Sequence, residues 1–171
     1  SKMFGVRLDG VSLGRYACST EMYGREGSGV LDGIGTICHE FSHVLGLPDE
    51  YDTDYASSGG QSVNPATWSI MAGGSYRNKS RTPVGYTLYE RYALGFANPQ
   101  LIEAPGQFSL DALNTSNTGY RINSAIPNEF FLLENRQQTR WDAYLAGHGM
   151  IVTRVDSTNV DVWENNTINC N

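Results

Sequence analysis

The clearest periodic pattern in the chain lies between residues 33 and 45. Apolar residues recur there at steps of three and four, the spacing of one helical face; they are Ile34, Ile37, Phe41, Val44 and Leu45. Gly46 follows, where a left-handed residue often ends a helix, and Pro48 prevents continuation. The pattern therefore predicts a helix from about Gly33 to Leu45.

A second helical pattern starts at Thr82-Pro83, where a capping residue precedes a proline suited to the first turn. The stretch "VGYTLYERYALG" continues the pattern, and Gly95 closes it. Residues 49–80, between the two predicted helices, are polar and rich in glycine. We expect this intervening segment to be irregular.

Strand patterns lie at both ends of the chain. Alternating apolar residues flank Asp9-Gly10, which predicts a hairpin with a two-residue turn, and a glycine-rich loop over 21–33 follows. After Pro99, four stretches are typical of strands: "QFSLDAL", "GYRINSA", "EFFLLENRQ" and "GMIVTRVD". This order predicts an α+β fold, with residues 1–98 as one part and a β-rich C-terminal part over 99–171.

Composition excludes several functions. The 171 residues carry a formal net charge of −6 with no basic run, which argues against nucleic-acid binding because that needs clustered Lys and Arg. No apolar run approaches the roughly 20 residues of a membrane span. The three cysteines, Cys18, Cys38 and Cys170, match no zinc or redox spacing and form at most one disulfide within the chain.

The first predicted helix carries the candidate chemistry in "HEFSH", residues 39–43. His39 and His43 are four apart, so they lie on one face and can bind one zinc ion at about 2.0–2.1 Å. Glu40 lies beside the metal and suits a general base for a zinc-activated water. The alternative is a solvated helix face with two ordinary histidines.

The residues after this helix offer a third ligand. A sharp turn at Gly46 brings the chain back toward the histidines, and Asp49 follows ten residues after His39. A carboxylate oxygen is an acceptable zinc ligand. Glu50 is the competing candidate for this position.

The string HExxHxxGxxD resembles the long zinc signature of the metzincin metallopeptidases, with Asp49 in place of the usual third histidine. "WSIMAGGSY", residues 68–76, resembles the metzincin Met-turn. That resemblance implies that Met71 packs under the metal-binding histidines as support. Some metzincins have a tyrosine two residues after this methionine, where it binds the reacting oxyanion; Gly73 stands there, and Tyr76 is the nearest alternative, with ordinary packing as its simpler role.

A larger set of blocks narrows the resemblance: "GIGTICHEFSHVLGLPDEYD", "WSIMAGGSY", "YERYALGF" and "FFLLENRQQTRWDAYLAGHGMIVTRVD". Together they resemble the M6 family, the immune inhibitor A-like metallopeptidases. The resemblance implies a secreted bacterial zinc endopeptidase that acts on protein substrates and is made as a larger multidomain precursor.

One departure from the metzincin pattern concerns the segment before the zinc helix. Only 38 residues precede His39, too few for the complete N-terminal sheet of a metzincin. We therefore expect an incomplete upper sheet, with the metal ligands present but part of the cleft wall missing. Peptidase activity of this segment alone is then expected to be weak.

Two further hypotheses remain open at this point. Asp52 and Asp54 could bind calcium through their oxygens, although the spacing does not match an EF-hand and a solvated acidic loop is the simpler interpretation. The alternatives to an enzyme are a binding module with a structural zinc and an inert fragment. Glu40 argues against the module, because a structural site has no use for an adjacent base.

Overall fold

The computed structural model describes residues 6–12, 14, 16–57 and 59–170. Short strands and helices are interspersed along this part of the chain. Within these residues the fold is mixed α/β, with one two-stranded and one four-stranded sheet. The strands are β1 (Arg7–Leu8), β2 (Val11–Ser12), β3 (Gln100–Leu101), β4 (Tyr120–Asn123), β5 (Glu129–Arg136) and β6 (Gly149–Asp156). The helices are α1 (Ile34–Leu45), α2 (Leu88–Ala93), α3 (Leu113–Ser116) and α4 (Val160–Glu164).

The predicted N-terminal hairpin is confirmed for β1 and β2, in which Leu8 pairs with Val11. Asp9 and Gly10 both have positive φ, at 50° and 81°, as a type I′ turn requires. The remaining positions of the predicted hairpin, 3–5, 13 and 15, lie outside the described residues.

The four-stranded sheet has the order β3-β4-β5-β6. β5 pairs antiparallel with both β4 and β6, and β3 pairs parallel with β4. The strands predicted over 119–125, 129–137 and 149–156 are therefore confirmed. The predicted strand "QFSLDAL" is wrong: Ala112 makes only an isolated bridge to Asn135, and α3 begins one residue later. A side chain holds this segment instead, since Asn135 Nδ2 donates to the Leu110 carbonyl at 2.8 Å.

The second helix is shorter than its sequence pattern indicated. α2 begins after Thr87, where Thr87 and Glu90 form a reciprocal capping box, so the predicted start at Thr82-Pro83 is wrong. Two residues before Thr87 donate their N–H groups elsewhere, Val84 to the Gly74 carbonyl at 3.2 Å and Gly85 to Asp142 Oδ1 at 2.9 Å, which keeps this segment outside the helix.

The first helix is confirmed. α1 runs from Ile34 to Leu45, and Gly46 ends it with φ at 114° and with its N–H bonded to the carbonyls of Ser42 and His43. α1 packs against the following loop through its smallest residues, because a Cβ on Gly35 would lie 1.9 Å from the Ser75 carbonyl oxygen. The backbone of α1 therefore lies directly on the loop that carries Met71.

The apolar stripe of α1 faces the opposite way. Ile34, Ile37, Phe41 and Leu45 are between 44% and 51% exposed, although they are the residues that produce the helical pattern. The apolar periodicity therefore predicted the helix correctly, but the buried face of α1 is formed by Gly35 and Ser42.

Two buried clusters form the core. One joins α2 to the four-stranded sheet and consists of Leu88, Ala97, Leu113, Phe130, Leu132 and Val155. The other lies under α1 and consists of Leu47, Ile70, Met71, Val84 and Leu145. The second cluster is the floor on which the histidine-bearing helix rests. None of the described helices is long and apolar enough to cross a membrane.

Candidate metal centre

Three predicted ligand residues converge on one point. Nε2 of His39 lies 3.1 Å from Oδ1 of Asp49, and Nε2 of His43 lies 3.2 Å from the same oxygen. The two imidazole rings, one helical turn apart on α1, have centroids 4.8 Å apart. The helix periodicity and the turn at Gly46 together produce this arrangement.

Backbone carbonyls fix the orientation of both imidazoles. Nδ1 of His39 lies 2.8 Å from the Ile70 carbonyl oxygen, and Nδ1 of His43 lies 2.8 Å from that of Leu47. Because a carbonyl oxygen only accepts, each Nδ1 carries the proton and donates it. Both Nε2 atoms are thereby directed at Asp49, and such a hydrogen bond from the other ring nitrogen is usual for metal-binding histidines.

Asp49 is held from two directions. Its backbone N–H donates to Oδ1 of Asn166 at 2.6 Å, and Nδ2 of Asn166 donates to its Oδ2 at 2.7 Å. One residue later, the N–H of Glu50 donates to the Met71 carbonyl at 2.9 Å. Asn166 lies 117 positions downstream of Asp49, so residues far apart in the chain form this site together.

The pKa values of this trio reflect their mutual contacts. Burial opposes ionisation of Asp49, but hydrogen bonds from His39, His43 and Asn166 outweigh it and hold the Asp49 pKa well below its usual range. Burial also opposes protonation of His39, yet its bonds to Asp49 and the Ile70 carbonyl raise the His39 pKa. The bond to Asp49 likewise raises the pKa of His43.

The donor set fits a zinc ion. With both rings neutral, two Nε2 lone pairs and a buried Asp49 Oδ1 face one another, and Oδ1 has no other hydrogen-bond partner among the described residues. Two ligands each about 2.0–2.1 Å from a tetrahedral ion lie about 3.3 Å apart, close to the separations found here. His39, His43 and Asp49 also form one of two groups of potential ligand atoms within 4.8 Å of one another in the described ranges.

Glu40 is half-buried on α1, beside the first histidine. Its negative charge contributes to the raised pKa of His39, which places the carboxylate close to the trio. Among residues 6–12, 14, 16–57 and 59–170, no group hydrogen-bonds to its carboxylate. A carboxylate with this freedom can exchange a proton with a molecule bound at the site.

Met71 is completely buried in the cluster that contacts α1 through Cys38. Its N–H donates to Oγ of Ser69 at 2.9 Å and lies 3.1 Å from Oε1 of Glu90. Glu90 also accepts from Ser69 Oγ at 2.8 Å and from the Thr87 N–H. Glu90 therefore fixes the 69–71 loop to α2, a role that the sequence did not indicate.

Glu50 lies outside the group formed by the two imidazoles and Asp49. It is 6% exposed and lies near Glu90 and Glu134, away from the histidines. Burial, followed by the charges of these two glutamates, raises the pKa of Glu50 well above its ordinary value. Of the two candidates for third ligand, the structure brings Asp49 to the imidazoles and Glu50 to a cluster of carboxylates.

The remaining predicted residues lie outside the trio. Asp52 is buried and accepts from the Ser62 N–H at 3.0 Å and from the Asp54 N–H at 3.3 Å. Asp52, Asp54 and Cys170 form the second group of potential ligand atoms within 4.8 Å. The contacts of Asp52 are those of a hydrogen-bonded turn, which gives the calcium hypothesis no specific support. Tyr76 is 63% exposed.

Two residues near the trio were missed by sequence reasoning. No local pattern identifies Asn166, because its contact depends on long-range folding. Tyr51 follows Asp49 by two positions; burial and the negative charges of Asp49 and Glu40 raise its pKa to about 12. Its hydroxyl is therefore protonated at neutral pH and can donate a hydrogen bond near Glu40.

The cysteines take no part in the histidine site. All three are free thiols: Cys18 is exposed, and Cys38 and Cys170 are half-buried. Cys38 packs against the cluster that contains Met71, and burial raises the pKa of its thiol. Cys38 is therefore a packing residue of α1.

Comparison with known proteins shows that one segment of the chain resembles a family of peptidases. A family profile described as "Immune inhibitor A peptidase M6, catalytic domain" matches residues 26–93. "Immune inhibitor A" of Bacillus thuringiensis subsp. alesti is 43% identical over 56 residues, which are 32% of this chain and 8% of that protein. "Pre-pro-metalloprotease PrtV" of Vibrio cholerae serotype O1 (strain M66-2) is 47% identical over 51 residues, which are 29% of this chain and 5% of that protein.

The alignment with each of these relatives spans less than a tenth of the relative's length. The profile match nevertheless includes α1, its two histidines, Asp49 and Met71. Residues 26–93, less than half of the chain, therefore resemble the catalytic domain of the M6 metallopeptidases.

Proposed function

We propose that the chain acts as a zinc-dependent endopeptidase on protein substrates, with His39, His43 and Asp49 as the zinc ligands. One observation carries the proposal: two imidazoles, each oriented by a backbone carbonyl, direct Nε2 at a single buried carboxylate oxygen. Three protein ligands, two imidazoles and one carboxylate, would leave the fourth coordination position of a zinc ion open, as in catalytic zinc sites.

Zinc, when bound, polarises the scissile carbonyl and makes water a stronger acid. The Glu40 carboxylate accepts the proton of the attacking water and then donates it to the leaving amine. Asn166 holds Asp49 in position, and the carbonyls of Ile70 and Leu47 hold the two imidazoles. Met71 supports the histidines from the buried floor, in the manner of a Met-turn.

Secretion from a bacterium and synthesis within a larger precursor also belong to this proposal. They are supported by the family match and by the relative named as a "pre-pro-metalloprotease". The short alignments with these relatives agree with a catalytic segment inside a longer protein.

The decisive experiment combines zinc content with cleavage of a labelled unfolded protein. Glu40→Gln should lower kcat by about 10²–10⁴-fold, the usual contribution of a general base, while one zinc stays bound per chain. Glu21→Gln, at an exposed carboxylate, is the matched control and should keep wild-type turnover.

Near-normal cleavage by a folded Glu40→Gln protein would remove Glu40 from the mechanism. Bound zinc without any cleavage by the wild-type chain would favour a structural site or an incomplete cleft. Absence of zinc from protein prepared with excess metal would overturn the ligand assignment.

A further inference from the structure

A cleft of about 550 Å³ is lined by Glu50 but by none of His39, His43 and Asp49. Its other walls are loop residues 63–65 and 68, Tyr89 of α2, most of β6 and the segment from Thr158 onward. The peptidase proposal does not use this cleft.

Two buried carboxylates, Glu50 and Glu134, reach this cleft. Oε1 of Glu50 is buried without a hydrogen-bond partner among the described residues, and the residue is only 6% exposed. A buried polar atom without a partner costs about 1–3 kcal/mol, and more when it is charged. Glu50 is therefore a group that a ligand in the cleft would satisfy.

The nearby positive charges are already engaged. Arg136 forms a two-point ion pair with Asp142, with distances of 2.9 and 2.6 Å, and reaches Glu134 at only 3.3 Å. Arg154 at the cleft is paired with Glu129 and Asp156. No described arginine or lysine forms an ion pair with Glu50, which lies beside Glu134 at the cleft and near the buried Glu90.

The walls add a preference for an organic cation. Trp68, Tyr89 and Trp163 line the cleft, and the rings of Tyr89 and Trp163 lie 5.6 Å apart. Aromatic faces attract ammonium and guanidinium groups by about 0.5–2 kcal/mol. Apolar residues such as Val155 and Ile168 complete the lining and accommodate an alkyl chain.

The carboxylate geometry disfavours a bare metal ion. Within the described part of the chain, the groups whose ligand atoms all lie within 4.8 Å of one another do not include Glu50, Glu90 and Glu134 as a set. The volume of the cleft is also in the range of small-molecule sites, about 300–1,000 Å³. A longer cation with an apolar stem fits both observations.

We propose that this cleft binds an alkylammonium group, the lysine side chain of a peptide, with its ammonium at Glu50 and its methylenes against Trp68 and Trp163. The ammonium neutralises the repulsion among the buried carboxylates and supplies the missing donor to Oε1. This binding requires neither turnover nor zinc. The lysine-binding proposal can therefore fail while the peptidase proposal holds, and the peptidase proposal can fail while lysine binding is observed.

The test uses the 171-residue chain labelled with ¹⁵N and follows its three tryptophan indole N–H resonances. The probes are N-acetyl-lysine methylamide and its neutral isostere N-acetyl-norleucine methylamide. The lysine probe should shift the resonances of Trp68 and Trp163 and bind at least about tenfold more tightly, or 1.4 kcal/mol. Trp141 is exposed and lies outside the cleft, so its resonance is an internal reference.

Two pairs of variants examine the charge. Glu50→Gln should abolish the preference for lysine over norleucine, whereas Glu103→Gln, at an exposed carboxylate, should keep it. Val63 is 95% exposed at the rim, so substitutions there leave folding unchanged. Val63→Lys, which supplies a tethered ammonium, should weaken binding of the lysine probe several-fold, while the neutral Val63→Met should not.

Equal affinity for the two probes would overturn the proposal, as would unchanged lysine binding in both Glu50→Gln and Val63→Lys. Displacement of the lysine probe by calcium chloride at an ionic strength matched with sodium chloride would show a metal site instead. Absence of any shift at Trp68 and Trp163 up to about 50 mM probe, far weaker than a specific site, would also refute it.

Discussion

Asp49 and Glu50 are neighbours in the chain, yet they occupy opposite electrostatic environments. Asp49 faces two imidazoles and Asn166, which lower its pKa. Glu50 faces Glu90 and Glu134 in a buried cleft, and its pKa is raised well above its ordinary value. Asp49 is thus a candidate zinc ligand, whereas its neighbour Glu50 is a buried carboxyl group among like charges.

The difference shows what determines the role of a carboxylate here. Both residues are buried to a similar degree, 7% and 6% exposed, so burial alone does not distinguish them. The partners do: both imidazoles face Oδ1 of Asp49 and Asn166 donates to its Oδ2, whereas Glu50 lies among like charges. Four substitutions can test this comparison, taken from the largest expected effect to the smallest.

Arg136→Met should have the largest effect on stability. It removes the buried guanidinium that pairs with Asp142 and Glu134, and loss of one partner of a buried ion pair costs about 3–5 kcal/mol. Urea unfolding measures the change. Arg25→Met, at an exposed arginine, is the control. If Arg136→Met lowered the free energy of unfolding by less than about 1 kcal/mol, the buried carboxylates Glu134 and Asp142 would not depend on Arg136.

Asp49→Asn should weaken zinc binding by at least about 100-fold, because loss of a charged ligand exceeds the roughly 10–100-fold effect of an outer-shell residue. Glu50→Gln should leave zinc affinity within about threefold, which is less than 1 kcal/mol. Competition with a chromophoric chelator measures both. The reverse ranking would make Glu50 the third ligand.

Asn166→Ala should weaken zinc binding by about 10–100-fold, since Asp49 loses both of the bonds that orient it. Asn165→Ala, at the exposed neighbouring position, provides the matched control. The same chelator titration measures the effect. Equal affinities for the two alanine variants would show that the backbone alone positions Asp49.

Glu50→Gln should produce the smallest change, seen in the pH dependence of stability. Because the folded-state pKa of Glu50 is raised above its ordinary value of 4.5, its favourable contribution is complete below that value and is lost as pH rises through the folded pKa. Wild-type stability relative to Glu50→Gln should therefore decline as pH rises above 4.5. Urea unfolding at several pH values in zinc-free buffer measures this difference.

A constant difference between the wild type and Glu50→Gln across that pH range would contradict the comparison. It would mean that Glu50 titrates as an ordinary solvated carboxylate. Glu103→Gln, at an exposed glutamate, should show such a constant difference and therefore calibrates the measurement.

Local sequence patterns predicted the features that depend on local physics. The steps of three and four predicted α1, and Gly46 predicted its end. The arrangement of His39, His43 and Asp49 follows from those two features. β4, β5 and β6 were also predicted, because strand alternation and β-branched residues are local signals.

Features that depend on distant partners were not predictable in this way. The start of α2 at Thr87 depends on bonds from Val84 and Gly85 to residues elsewhere in the fold. The segment before α3 is held by the side chain of Asn135, which no propensity reports. Asn166 and the cluster of Glu50, Glu90 and Glu134 likewise appear only when the loop, α2 and the sheet come together.

The contact between Asn166 and Asp49 has a consequence for the order of synthesis. A ribosome translates both histidines and Asp49 long before it reaches Asn166, so the early nascent chain possesses every ligand but not the clamp that aligns the carboxylate. Tight zinc binding should then begin only after α4 and the turn that follows it, with Asn166, have emerged and folded against Asp49. High zinc affinity would then be reached only once the chain has been translated through Asn166.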